Sequence, residues 1–190
     1  KLNYNLTNHK FIDASPLIWK LRMIKSSNEI SKMKKIISIV SKAFDELPNY
    51  INIGQTEIEI ANIMKKNLLD LGADHTLYMS CTSGSGGYNQ IICDPTEKKL
   101  AEGDILIIDT GTTLDGYFCD FDRNYGFGKL TDNCKTAYEV VWEAARQGME
   151  TAKPGNTCAD ISNAMAKILN KNNSISNSVG RMGHGVGLQL

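Results

Sequence analysis

Two carboxylates eleven residues apart, in Ile-Leu-Ile-Ile-Asp109-Thr-Gly-Thr-Thr-Leu-Asp115-Gly116-Tyr-Phe-Cys-Asp120-Phe-Asp122-Arg123, have the types and spacing to hold a cation. An apolar run that ends on a carboxylate, reverses, and returns with further carboxylates is costly. Like charges repel, and burying them unpaired either costs free energy or shifts their pKa values. A bound divalent metal removes that cost. A hairpin with a solvated acidic face is the alternative that the residues alone leave open.

The turn supplies the geometry. Asp-Gly between alternating strands marks a two-residue hairpin loop, because both positions accept positive φ. With Asp115-Gly116 as that loop, Leu114 falls opposite Tyr117, Gly111 opposite Asp120 and Asp109 opposite Asp122. Side chains alternate faces with period two, so Asp109, Asp120 and Asp122 share one face. Asp109 and Asp120 become diagonal neighbours with Cα atoms ~7–8 Å apart. Carboxylates so placed can reach metal ions ~3.5–4 Å apart.

The elements that must position this hairpin read as alternating helices and strands. Ser26-Ser-Asn-Glu29 resembles a capping sequence, and Ile30, Met33, Ile36, Ile37, Val40 and Phe44 follow a helical period to about residue 47. A second helix is expected over 56–71, strands over 77–83 and 91–93, and the hairpin over 104–125. Two more helices follow over 132–151 and 157–169, then an Asn/Ser-rich loop over 170–178. An internal repeat at an offset of 101 lays residues 54–68, beginning Gly54-Gln-Thr56-Glu-Ile-Glu59, over residues 155–169, beginning Gly155-Asn-Thr157-Cys-Ala-Asp160, with seven of the fifteen positions identical. The same offset pairs Val40 with Val141, and Ser83-Gly-Ser-Gly86 with His184-Gly-Val-Gly187. Duplicated halves with a site between them follow from this pattern. The second half's counterpart of the aspartate hairpin would fall beyond Leu190.

Composition bounds the rest. A 190-residue chain can bury one sizeable core, and 21 basic against 21 acidic residues leave no electrostatic footprint for nucleic acid or a membrane surface. No apolar stretch reaches the ~18–20 residues of a membrane span. Five cysteines (81, 93, 119, 134 and 158) without CxxC spacing fit a reduced, cytoplasmic protein.

Three separated motifs carry a family resemblance: Asp109-Thr-Gly, Gly116-Tyr-Phe-Cys-Asp120-Phe-Asp-Arg123, and Gly183-His184-Gly-Val-Gly187. Together they resemble the pita-bread metallopeptidases, which include methionine aminopeptidase, aminopeptidase P, prolidase and the non-peptidase creatinase. The resemblance runs from about Arg22 to the end of the chain. It implies an α+β (α/β) pita-bread fold of pseudo-two-fold duplicated halves, the second incomplete here. Residues 1–25 would be the tail of, or linker from, an N-terminal domain, and residues 26–190 the C-terminally truncated catalytic domain. It also implies that Asp109, Asp120 and His184 are ligands of two divalent ions. Mn²⁺ suits this carboxylate-rich set, with Fe²⁺, Co²⁺ or Zn²⁺ as alternatives. Two further glutamates, one of them the proton shuttle, would lie beyond Leu190, so no catalytic acid–base residue is assigned within the chain. The implied reaction is two-metal hydrolysis, with a water activated and the scissile carbonyl polarised.

Three departures qualify the inheritance. The family's peptidases place a substrate-contacting histidine upstream of the first aspartate, where this chain reads Asn89-Gln-Ile-Ile-Cys93-Asp-Pro95. Asp122 occupies a position where Ser or Thr is common, so it can bind metal, accept from Arg123, or sit outside the shell. The C-terminal ligands are absent. Three functions follow: an Xaa-Pro aminopeptidase or dipeptidase acting on peptides, a creatinase-like hydrolase or lyase acting on a small molecule, or a metal-free binding module. A homodimer is compatible with each. The 190-residue chain by itself is expected to bind metal weakly and to turn nothing over.

Overall fold

The computed structural model describes residues 10–88, 92–171 and 181–189. Its elements are α1 (Ser15–Met23), α2 (Ser27–Glu46), α3 (Glu57–Asp70), β1 (His75–Ser83), β2 (Ile105–Leu114), β3 (Tyr117–Gly126), α4 (Asp132–Thr151) and α5 (Cys158–Lys171). The three strands form one antiparallel sheet in the order β1-β2-β3.

Capping chemistry sets where the two central helices begin. Ser26 accepts from the Glu29 amide while Glu29 accepts from the Ser26 amide at 2.7 Å, a reciprocal capping box. Thr56 and Glu59 repeat the device at the start of α3. The apolar faces of α2 and α3 then close over one face of the sheet. Ile36, Val40, Phe44, Ile60, Met64 and Leu68 meet Cys81, Leu106, Ile108 and Cys119 in a single buried cluster.

The hairpin adopts the expected register throughout: Leu114 opposite Tyr117, Gly111 opposite Asp120, and Asp109 opposite Asp122. Asp115 and Gly116 both take positive φ, 52° and 77°, which a two-residue turn of this hand requires. The Asp115 amide donates to Asp74 Oδ2 at 2.7 Å, tying the turn to the loop after α3.

Two expectations change. Residue 91 lies outside the described residues, and Ile92 and Cys93 are not in a strand. The Ser80 hydroxyl intervenes, accepting from the Cys93 amide at 3.0 Å and donating to its carbonyl at 2.9 Å, so a side chain replaces part of a ladder. Asn170 belongs to α5, not to the loop expected there; residues 172–178 of that loop lie outside the described residues. Within the segment read as tail or linker, residues 15–23 form α1. None of its residues is buried, and Arg22 Nη1 ties it to Gln189 Oε1 at 2.8 Å.

The repeat has a physical counterpart. Gly54 and Gly155 adopt the same left-handed φ, 95° and 96°. Thr157 and Asp160 exchange the hydrogen bonds that Thr56 and Glu59 exchange. Helices α4 and α5 pack chiefly against each other, and Gly148 makes room: a Cβ there would lie 2.8 Å from Met165 Sδ.

Candidate metal centre

The sheet presents two faces with opposite tasks. Leu106, Ile108, Thr110 and Thr112 of β2 point into the core, while Ile107, Asp109 and Gly111 point away from it. Asp109 and Asp120 are therefore carried side by side on the outer face, as their spacing implied. Both are half-buried.

His184 reaches the same place through backbone pairing. The Phe118 amide donates to the Gly187 carbonyl at 2.7 Å, which lays the 183–189 segment along the open edge of β3. His184 Nε2 then lies 2.9 Å from Asp120 Oδ2, and Nδ1 lies 2.9 Å from the Gly185 carbonyl. With Nδ1–H donated to that carbonyl, Nε2 turns its lone pair toward the carboxylate. A lone pair and a carboxylate repel unless a cation, proton or metal, lies between them.

Tyr78 completes the cluster, and sequence reasoning missed it. Its hydroxyl lies 3.1 Å from Asp109 Oδ1 and also bonds Asp120 Oδ1. Burial and the two carboxylates push the Tyr78 hydroxyl up from its ordinary range, which keeps it a neutral donor. Burial pushes the Asp109 carboxyl up to about 6; the Tyr78 hydrogen bond opposes the shift, and Asp120 and Asp122 add to it. An ionised pair here therefore wants more positive charge than the protein supplies.

Asp122 shares the face, as its register requires, but stands open to solvent. The surrounding chain and Asp120 push its carboxyl upward against the pull of Arg123, and its exposure to water keeps that effect weak. Of the three alternatives for Asp122, acceptance by its carboxylate from Arg123 is not the contact formed. Arg123 Nη1 donates to the Asp122 backbone carbonyl at 2.7 Å, and its guanidinium lies over the Phe121 ring at 4.9 Å. Arg123 is thus held on the opposite side of β3, where Phe121 and Phe44 stack.

Among the described residues, no group of three His, Cys, Asp or Glu side chains closes around an ion. The donors present nevertheless fit a first-row divalent ion in kind: two carboxylates and an imidazole whose Nε2 is aimed at them. They number fewer than two ions would need.

A second polar concavity of about 390 Å³ lies at the far end of β1, lined by Glu57, Thr82, Gly87, Cys93, Asp94 and Thr96 among others. It is organised by Glu57, another residue whose importance the sequence did not signal. Glu57 is buried, and it accepts from the amides of Ser83 at 2.7 Å and Thr96 at 3.1 Å and from both hydroxyls. With all four donors satisfied in this way, the carboxylate pins the end of β1 and the loop after it to the start of α3.

Comparison with known proteins places this geometry in a family. Residues 31–190 match the model of metallopeptidase family M24. The probable dipeptidase PepE of Mycobacterium tuberculosis is 27% identical over 180 residues, covering 92% of this chain and 47% of its own length. A recombinant prolidase from Thermococcus sibiricus superposes with a TM-score of 0.92 at 28% identity, over 99% of this chain and 52% of that one. The X-Pro aminopeptidase of Thermotoga maritima superposes with a TM-score of 0.91 at 27% identity, over 99% and 53%. The chain spans about half the length of the relatives it matches. Because the match runs through both the aspartate hairpin and the His184 segment, this chain belongs to metallopeptidase family M24 and has its pita-bread fold.

Proposed function

We propose that this chain contributes the first metal ligands of a dinuclear-metal peptidase that cleaves Xaa-Pro peptides. One observation carries the reading: Asp109 and Asp120 stand together on one sheet face with His184 Nε2 2.9 Å from Asp120. Asp109, Asp120 and His184 would hold the metal, with Mn²⁺ the best match to the donor set. The chemistry such ions supply is activation of a water and polarisation of the scissile carbonyl. What the residues here do is prepare the site. Burial makes ionised Asp109 demand a cation, and Nδ1 of His184, engaged by the Gly185 carbonyl, fixes Nε2 as the free ligand atom. The similarity to a prolidase and an X-Pro aminopeptidase supports a substrate with proline in second position.

A non-peptide substrate is the second reading, favoured by a specific absence. The sequence has three histidines, at 9, 75 and 184. His75 opens β1 at its exposed end and His9 lies outside the described residues, so no second imidazole is placed beside the aspartates among the described residues. The positions facing that side along β1 are Tyr78, Ser80 and Thr82, with Cys93 bonded to Ser80.

Metal analysis of the complete protein, not of these 190 residues alone, separates these readings from a metal-free module. Bound transition metal that Asp109→Ala abolishes is expected; less than about one equivalent, unchanged by the substitution, sinks both enzyme readings. Xaa-Pro dipeptides assayed against small amide and amidino compounds then distinguish the first from the second. Hydrolysis of the dipeptides is expected, and turnover confined to small compounds would replace the leading reading.

A further inference from the structure

Two irregularities in the sheet converge on one side chain. The first is a bulge in β1. His75 and Thr76 pair with Thr113 and Thr112, the register then slips by one residue, and Tyr78 pairs with Gly111. In an unbroken ladder Leu77 would stand opposite Gly111, and Tyr78 would stand opposite Thr110, whose side chain is fully buried. The slip instead sets Tyr78 opposite Gly111 and Met79 opposite Thr110, and passes over Leu77. Leu77, left out of the pairing, is 53% exposed, and Tyr78 turns to the aspartate face.

The second irregularity is Gly111, a glycine in the middle of a strand. A Cβ at this position would lie 2.1 Å from Tyr78 Cε1 and 2.6 Å from Cδ1. The missing side chain is the space the ring occupies. Thr110 Oγ1 donates to the Tyr78 carbonyl at 2.9 Å and fixes the backbone of the re-aimed residue from the core side. Bulge, cleared space and anchor all serve one outcome: a phenol hydroxyl set between Asp109 and Asp120. A phenol has a single proton to donate. Shared between two carboxylates, it holds them toward one another where their charges alone would drive them apart.

We propose that Tyr78 is a positioning residue of the metal centre, its hydroxyl fixing the orientation of the Asp109 and Asp120 carboxylates so that both face the ions. This rests on the metal reading above. Residues that hydrogen-bond metal ligands from behind set ligand orientation, and their loss typically weakens metal affinity about 10–100-fold.

The test is Tyr78→Phe, which keeps the ring in the space Gly111 clears and removes only the hydroxyl. Calorimetric titration of the complete, metal-free protein with Mn²⁺ should show affinity reduced about 10–100-fold, while the near-ultraviolet circular dichroism of the metal-free protein keeps its native form. Unchanged or tighter Mn²⁺ binding by Tyr78→Phe would overturn the proposal while leaving the metal reading intact. Failure of the unaltered protein to bind Mn²⁺ would remove both. Should the Phe variant not fold, the unaltered protein still decides: Mn²⁺ must perturb its tyrosine absorbance, and a titration that saturates with no such change overturns the role.

Discussion

Helices α3 and α5 start from the same local device and end in different surroundings. Each follows a left-handed glycine, Gly54 or Gly155, and each opens with a threonine and an acidic residue capping one another. Helix α3 then lies on the sheet with α2, and Ile60, Met64 and Leu68 are fully buried. Helix α5 lies on α4, and only Leu169 of its residues is buried. On α4, Tyr138, Val141, Trp142 and Met149 remain exposed. The local code is thus sufficient to begin a helix, and its stability depends on what the helix covers.

The sharpest divergence between the halves is at the first helical position. The offset of 101 places Cys158 where α3 has Glu57. Glu57 ties α3 to β1 and the 96 loop through four donors, whereas Cys158 is exposed. Glu57→Ala strands buried amides and hydroxyls and should lower unfolding free energy by about 3–5 kcal/mol. Cys158→Ala should change it by less than about 0.5 kcal/mol. Urea denaturation measures both, and equal effects would mean that the two helix starts are held alike. A similar contrast applies one helix earlier. Val40 is 0% exposed and Val141 57%, so Val40→Ala should cost about 2 kcal/mol for its lost methyl groups and cavity. Val141→Ala should stay within about 0.5 kcal/mol. A large loss at Val141 would show that α4 buries this face in solution.

These contrasts also mark how far the sequence could be read. The hairpin register was legible because Asp115-Gly116 permits few turns, and period two then places every side chain; Asp109, Asp120 and Asp122 fell on one face as reasoned. Helix starts were legible because Ser26, Thr56 and Thr157 announce caps within four residues. Tyr78 was not, because its face depends on a one-residue slip in β1 that alternation alone does not reveal. Glu57 was hidden for a related reason. An acidic residue in a first turn reads as a partner for the helix dipole, and only the approach of Ser83 and Thr96, from 26 and 39 residues away, makes it a buried hub. Helix α1 lacked the one-sided apolar period that marks a packed helix: Leu17, Ile18, Trp19 and Leu21 are all exposed.

Where the halves are alike, substitutions should act alike. Gly54 and Gly155 share a φ near 95°, and a Cβ added at either would meet no atom within 4 Å, so alanine meets only backbone strain. Gly54→Ala and Gly155→Ala should each cost about 1–2 kcal/mol. Matched losses in thermal denaturation would confirm that both turns are held by the same conformational demand. A loss confined to Gly54 would mean that the second turn relaxes when strained, and that the likeness of the halves ends at the sequence.

The smallest effect concerns acid. Asp160 accepts from the Thr157 amide and hydroxyl, each at 2.7 Å, and these bonds hold its carboxyl below the ordinary 3.8. A carboxyl depressed on folding adds stability above its unfolded pKa and loses it as pH falls through the folded one. The α5 cap should therefore be intact near neutrality and weaken only below about pH 4, with most of the loss at still lower pH. Asp160 is exposed, so salt and water mute the effect. Melting curves of the unaltered protein and Asp160→Asn should differ at pH 5 and above by a small constant amount, and converge as the pH is lowered past about 4. Curves that stay parallel down to the lowest pH would show that the carboxyl's charge contributes nothing to the cap, which neutral hydrogen bonds would then hold on their own.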